Sequence, residues 1–270
     1  DNRTTSILPN CISQTRSIVV YLLYTKHDNY MGCDIHGLCE VKEKGIWKAN
    51  TEKVFPNPYY SSKPEHDFQV DEFQTYPDTG RNYDWFAILA DVRNGRGFAG
   101  IKTGDGFDVI CEPRGVPNDA TEEWMEEVNG WRGDMHSHSW LHVQDFNDFD
   151  WTQKTYKIGC ITLKEYETLR KTKTEPNSWC GKISGHNIVI VSPEEADAIL
   201  EGKTLTVFEG DNLFTPPKEV EVSLTNGLDV HVDYEWEIEY WDWFNHKFKS
   251  VIKPMQELAQ KYEDVRYVFG

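Results

Sequence analysis

Tyr83-Asp84-Trp85-Phe86-Ala87-Ile88-Leu89-Ala90-Asp91-Val92 is the stretch from which the rest of the chain can be read. Its apolar residues form a stripe at helical spacing, and Gly95 and Gly97 stand where such a helix would end. A glycine-rich run follows, from Asn94 through Gly95, Gly97, Gly100 and Gly104 to Gly106. Beyond it lies Gly133-Asp134-Met135-His136-Ser137-His138-Ser139-Trp140. No other part of the sequence gathers so many backbone-permissive and ligand-type residues.

Upstream, Cys33 to Lys48 suits a β-hairpin: Ile35, Leu38 and Val41 precede a turn at Lys44-Gly45, and Ile46 and Trp47 begin the return. Residues 50–80, with Pro56, Pro58, Pro64 and Pro77, read as a loop able to cover a cleft. Downstream, Asp108 to Cys111 reads as a strand, and Pro113 to Pro117 as a turn. Asp119 is placed to cap a helix over Ala120 to Asn129, and Ser139 a short one through Phe146. Thr162 and Glu165 form a capping box for Leu163 to Arg170. Asn187 to Val191 is an apolar strand, and Ser192-Pro193-Glu194-Glu195 starts a helix that Gly202 closes. Val220 to Leu224 and Val230 to Ile238 read as a hairpin around Asn226-Gly227. A long helix from about Tyr240 to Tyr262, interrupted at Pro254, precedes a last strand, Asp264 to Phe269.

These elements predict an α+β or α/β fold, with a mixed sheet, several short helices and a long C-terminal helix in one globular domain, 31–270. Residues 1–30 are Ser/Thr/Asn-rich and nearly free of acid, and read as an N-terminal extension, with Ile18 to Tyr24 at best an added edge strand. That apolar run is too short for a bilayer, which takes about 20 residues, and no small-residue cleavage pattern follows it. The expectation is a cytoplasmic protein without membrane contact. A formal charge of −17 opposes nucleic-acid backbones and anionic membranes. Acidic clusters such as Glu122, Glu123, Glu126 and Glu127, or Asp145, Asp148 and Asp150, belong either to a solvated surface or to an interaction face that imitates phosphate charge. The six cysteines include no CxxC pair, which suits reduced thiols, and Cys160, Cys180 and His186 match no common zinc module.

Two constellations point to chemistry. In an extended Asp134-x-His136-x-His138, alternation would put all three side chains on one face, a set suited to Zn²⁺, Mn²⁺ or Fe²⁺. Asp34-x-His36 heads the first strand in the same way, and Asp91 could add a bridging carboxylate. Together these six would make a metal-dependent hydrolytic centre, with Asp34, His36, Asp91 and His136 as its catalytic groups. The alternative is that His136 and His138 bond within a loop. The glycine run suggests a second function: backbone amides around Gly97 and Gly104, with Arg96, Lys102 and Arg114, would hold an anionic small molecule.

Asp-x-His-x-His is similar to the first motif of PHP-type phosphoesterases, but here it stands in mid-chain. Asp34-Ile35-His36-Gly37 resembles the opening of calcineurin-like ones, but no Gly-Asn-His-Asp/Glu element follows. Met31-Gly32-Cys33-Asp34-Ile35-His36, the run Arg81 to Gly95, and Gly133 to Ser139 together resemble an uncharacterised family of tailed-bacteriophage proteins. The likeness is close over residues 31–151 and looser at Val265 to Phe269. It implies an accessory phage protein made in bacterial cytoplasm and assigns no catalytic residue. Two functions are therefore expected: a metal-dependent hydrolase of the phosphoesterase kind acting on a nucleotide or similar anionic small molecule, or a non-catalytic accessory protein that binds a host protein or sequesters a nucleotide signal.

Overall fold

The C-terminal strand β11 (Asp264–Phe269) is buried along almost its whole length because it lies inside a sheet. β1 (Gly37–Glu43) flanks it on one side and β5 (Ser139–His142) on the other, and β2 (Ile46–Ala49) completes the antiparallel order β2-β1-β11-β5. The computed structural model describes residues 34–60, 70–97, 100–131, 133–183, 185, 187–209 and 218–270. The N-terminal extension expected over residues 1–30, Cys11, Cys33, His186 and residues 61–69 lie outside them. The described residues belong to one unit, Gly32–Gly270.

β1 and β2 form the expected hairpin. Lys44 and Gly45 both take positive φ, 52° and 76°, as a two-residue turn matched to strand twist requires. Helix α1 (Tyr83–Ala90) begins at Asn82, whose side chain accepts from the Trp85 N–H. Every residue from Trp85 to Ala90 is buried, so the helix is surrounded and not merely striped. It ends at Asp91 in the left-handed conformation, φ 58°, earlier than the glycines suggested. Around α1 the main core gathers the inner face of the four-stranded sheet (Val41, Leu141, Val265, Tyr267, Phe269) and residues of the C-terminal helix.

A second sheet, in the order β6-β10-β7-β8-β9, comprises β6 (Lys154–Thr162), β7 (Ile188–Val191), β8 (Leu205–Glu209), β9 (Lys218–Val222) and β10 (Asp229–Glu239). Only the β7–β10 pairing is parallel, so the fold is α+β with a mixed sheet. Helices α4 (Leu163–Thr172) and α5 (Pro193–Leu200) cover one face through Leu169, Ala196 and Ile199. Ser192 and Glu195 close the expected capping box of α5, whereas in α4 Thr162 caps but Glu165 accepts from Asn177 instead. Trp179 and Tyr234 pack against both cores and join them. A two-stranded piece pairs β3 (Phe55–Pro56) with β4 (Phe73–Gln74).

Several local expectations give way to tertiary pairing. β9 and β10 are not a hairpin, because β9 pairs with β8 and β10 with β6 and β7. Asp108 to Cys111 is not a strand: the Asp108 N–H goes to the Tyr240 hydroxyl and the Ile110 N–H to the Ile88 carbonyl. Ser139 opens β5 instead of capping a helix. The short helix α3 (Val143–Asp148) starts after His142, where Asp145 returns a side-chain bond to the His142 N–H. Helix α2 (Glu122–Gly130) is capped by Thr121, while Asp119 is held by Arg266. The long C-terminal helix is present as α6 (Tyr240–Lys247), a π-helical turn (Phe248–Ile252) and α7 (Lys253–Leu258), with Pro254 in the first turn of α7. Proline lacks the N–H an α-helical ladder requires, and the wider turn precedes it.

Candidate functional site

The two histidine segments meet at the end of β11. The His36 N–H donates to the Gly270 carbonyl at 3.1 Å and the Gly270 N–H to the His36 carbonyl at 3.1 Å. On the other side Phe269 pairs with Ser139, and a side chain at Gly270 would overlap the His138 ring. His36 and His138 thus flank one residue, with backbones roughly 10 Å apart at ordinary strand spacing.

The expected one-faced Asp134-x-His136-x-His138 ladder does not form. Ser137 is left-handed, φ 57°, so the run is not extended. His136 stacks on Phe86 of the main core, and its Nδ1 lies 2.9 Å from the Ser137 hydroxyl. His138 turns edge-on to Trp124 in a small separate core on the outer face, built with Met135 and Val268. Its Nδ1 is buried without a hydrogen-bond partner among the described residues, and burial, with His136 nearby, holds its pKa below the usual imidazole value. Asp34 is forked onto Arg81 (2.8 and 3.0 Å), which outweighs burial and lowers its pKa. Asp91 accepts from Asn94, and Asp134 sits exposed in a turn. Among the described residues no three His, Cys, Asp or Glu side chains converge as metal ligands, so the six donors do not fit a common ion as arranged.

The anion cradle is also taken apart. Gly104 bridges to Lys157 of β6, with φ 144° and the Tyr156 carbonyl where its Cβ would stand. The Thr103 and Asp105 N–H groups donate to Gly95 and Tyr156, and the Gly97 N–H to Ile101. The glycines therefore serve close docking of a loop on a strand. Arg96 is exposed, Lys102 lies 3.8 Å from Asp105, and Arg114 is far along the chain on the other sheet, forked onto Asp145 by two bonds of 2.7 Å. Cys160 and Cys180 are backbone partners across a bridge, and the four described cysteines are free thiols.

What the segments near β11 do line is a cleft of about 400 Å³ between the start of β1, the Tyr76–Thr79 loop and α2. Ile35, Leu38 and Trp124 give it apolar walls, and Asp78, Glu123 and Glu127 bring three carboxylates. Glu127 Oε1 accepts from His36 Nδ1 at 3.0 Å and from the Trp131 indole N–H at 2.9 Å, and the Trp131 ring lies 4.4 Å from that of His36. Behind the wall, Lys247 is buried and donates to the Thr79 carbonyl; burial holds its pKa down. Tyr76 lines it and is exposed, and Trp131 is exposed beside His36. The acidity of Glu122 to Glu127 was legible in the sequence; its meeting with His36 and the Tyr76 loop was not, because 91 residues separate His36 from Glu127.

Comparison with protein-family models, curated proteins and solved structures finds no match. No helix among the described residues is long and apolar enough to cross a membrane.

Proposed function

We propose that the chain is a non-catalytic binding protein whose cleft receives a basic segment of a partner protein. The observation that carries this is the union of three carboxylates with apolar walls and an aromatic rim. A lysine or arginine offers an apolar stem to such walls and a cation to the carboxylates and ring faces. Among the described residues Arg81 is paired with Asp34, and Arg266 with Glu40 and Asp119; of the three carboxylates Glu127 is shared with His36 and the Trp131 indole. The charge of −17 speeds encounter with a basic partner. In the phage context that the resemblance implies, the partner is a host protein.

The test is fluorescence anisotropy with a labelled nona-arginine peptide. Binding should weaken with salt and fall at least tenfold, about 1.4 kcal/mol, in Glu123→Lys/Glu127→Lys. Equal affinity in wild type and double variant would overturn the proposal. A metal-dependent hydrolase remains the second reading, supported by the flanking of Gly270 by His36 and His138 and the unpartnered His138 Nδ1. One or two equivalents of zinc, manganese or iron in the untagged protein, lost in His138→Ala, would favour it.

A further inference from the structure

The outer face of the four-stranded sheet holds a second concavity, about 650 Å³, lined by Trp47, Asn118, Asp119, Trp140, His142 and Arg266 among others. Apart from Lys42, whose Nζ lies 5.4 Å from the Trp47 ring centre, its charges are already paired. Arg266, 2% exposed, donates to Glu40 at 2.5 Å and to Asp119 at 2.7 Å. Arg114, also on the groove, is forked onto Asp145, and His142 Nδ1 lies 3.0 Å from an Asp264 oxygen. The indoles are fixed too: the Arg266 guanidinium lies 4.0 Å from the Trp47 ring centre and that of Arg114 4.6 Å from Trp140. Asn118 is exposed beside them.

We infer that this groove binds a neutral, hydroxyl-rich ligand, a carbohydrate. An anion would find Lys42 alone without an ion pair among the described residues; to reach Arg114 or Arg266 it would have to displace Asp145, or Glu40 and Asp119, and it would meet Asp264 as well. A cation would meet Lys42, Arg114 and Arg266. A sugar needs neither exchange. Its hydroxyls both donate and accept, so they add bonds to the spare lone pairs and N–H groups of groups already held in place. Its C–H face suits an indole, and pre-paired planar groups lose little freedom on binding it.

The experiment is saturation-transfer-difference NMR on the full chain with maltose, cellobiose, lactose and N,N′-diacetylchitobiose, and with glucuronic acid and glucosamine as charged comparators. At least one neutral disaccharide should give a saturable signal, lost in Asn118→Ala and Trp47→Ala and unchanged in Glu123→Lys/Glu127→Lys. Because Trp47 packs on Arg266, its variant is read only with an unchanged melting curve; exposed Asn118 supplies the independent readout. No signal from any of the four, a signal that survives Asn118→Ala, or preference for either charged comparator would overturn the assignment.

Discussion

Lys157 shows what a single buried residue does here. Its side chain is 2% exposed, its Nζ lies 2.8 Å from Asp84 Oδ1, and it stands 5.2 to 5.5 Å from the ring centres of Phe107, Trp179 and Trp243. The other Asp84 oxygen accepts from the Trp243 indole, so one ion pair ties α1, β6 and α6 together. Removing one partner of a buried pair costs more than the pair contributes, because the remaining charge is left unpaired. Lys157→Met should lower stability by about 3 kcal/mol in urea unfolding, the low end of that range because Asp84 keeps some solvent contact. Adding Asp84→Asn should restore part of the loss. A single variant with the wild-type midpoint would show that packing, not the pair, holds this junction. Nothing local in the sequence announced Lys157: alternation along β6 gives its face, but the acid that partners it is 73 residues away.

At the level of elements, start signals were legible in part. Thr162 and Ser192 cap their helices as expected, whereas Asn82 and Thr121 also cap with their side chains where the sequence pointed to no cap or to Asp119, and Ser139 opens a strand. These bonds span three residues, so local sequence can signal them. Asp145 shows the limit: it completes the start of α3 and also forks onto Arg114. Burial pushes its carboxyl up, but Arg114 and the His142 N–H pull it down further, leaving it below the ordinary range. A carboxylate whose folded pKa lies below its unfolded one stabilises fully above about pH 4 and loses that contribution as pH falls through the folded value. Asp145→Ala should cost about 1–3 kcal/mol at pH 7, and the gap from wild type should shrink as the pH falls below 4. A gap independent of pH, measured by urea midpoints from pH 2 to 7, would assign the loss to packing.

For the whole molecule the decisive feature is that the last strand is central. β11 bonds to β1 and β5, and Val265, Tyr267 and Phe269 enter the main core. Deleting residues 264–270 exposes both neighbouring strand edges and opens the core, so the shortened chain should lack a cooperative melt by circular dichroism. A wild-type melting profile would mean that β1 and β5 can pair without it. The same long-range closure creates the cleft, since β11 brings His36 beside α2 and His138 beside the small outer core.

The sequence by itself determined what depends on neighbours a few residues apart: the β1–β2 turn, the caps of α4 and α5, the apolar character of α1, the mixture of helices and strands, and the acidity of α2. The tertiary structure alone decided which strands pair, that His136 and His138 face different cores, that Arg114 is committed to Asp145, and that three carboxylates surround one cleft. The physical reason is range. Caps and turns are closed by bonds between nearby residues. Strand register and ion pairing are settled by burial, between groups that the sequence holds tens to hundreds of residues apart.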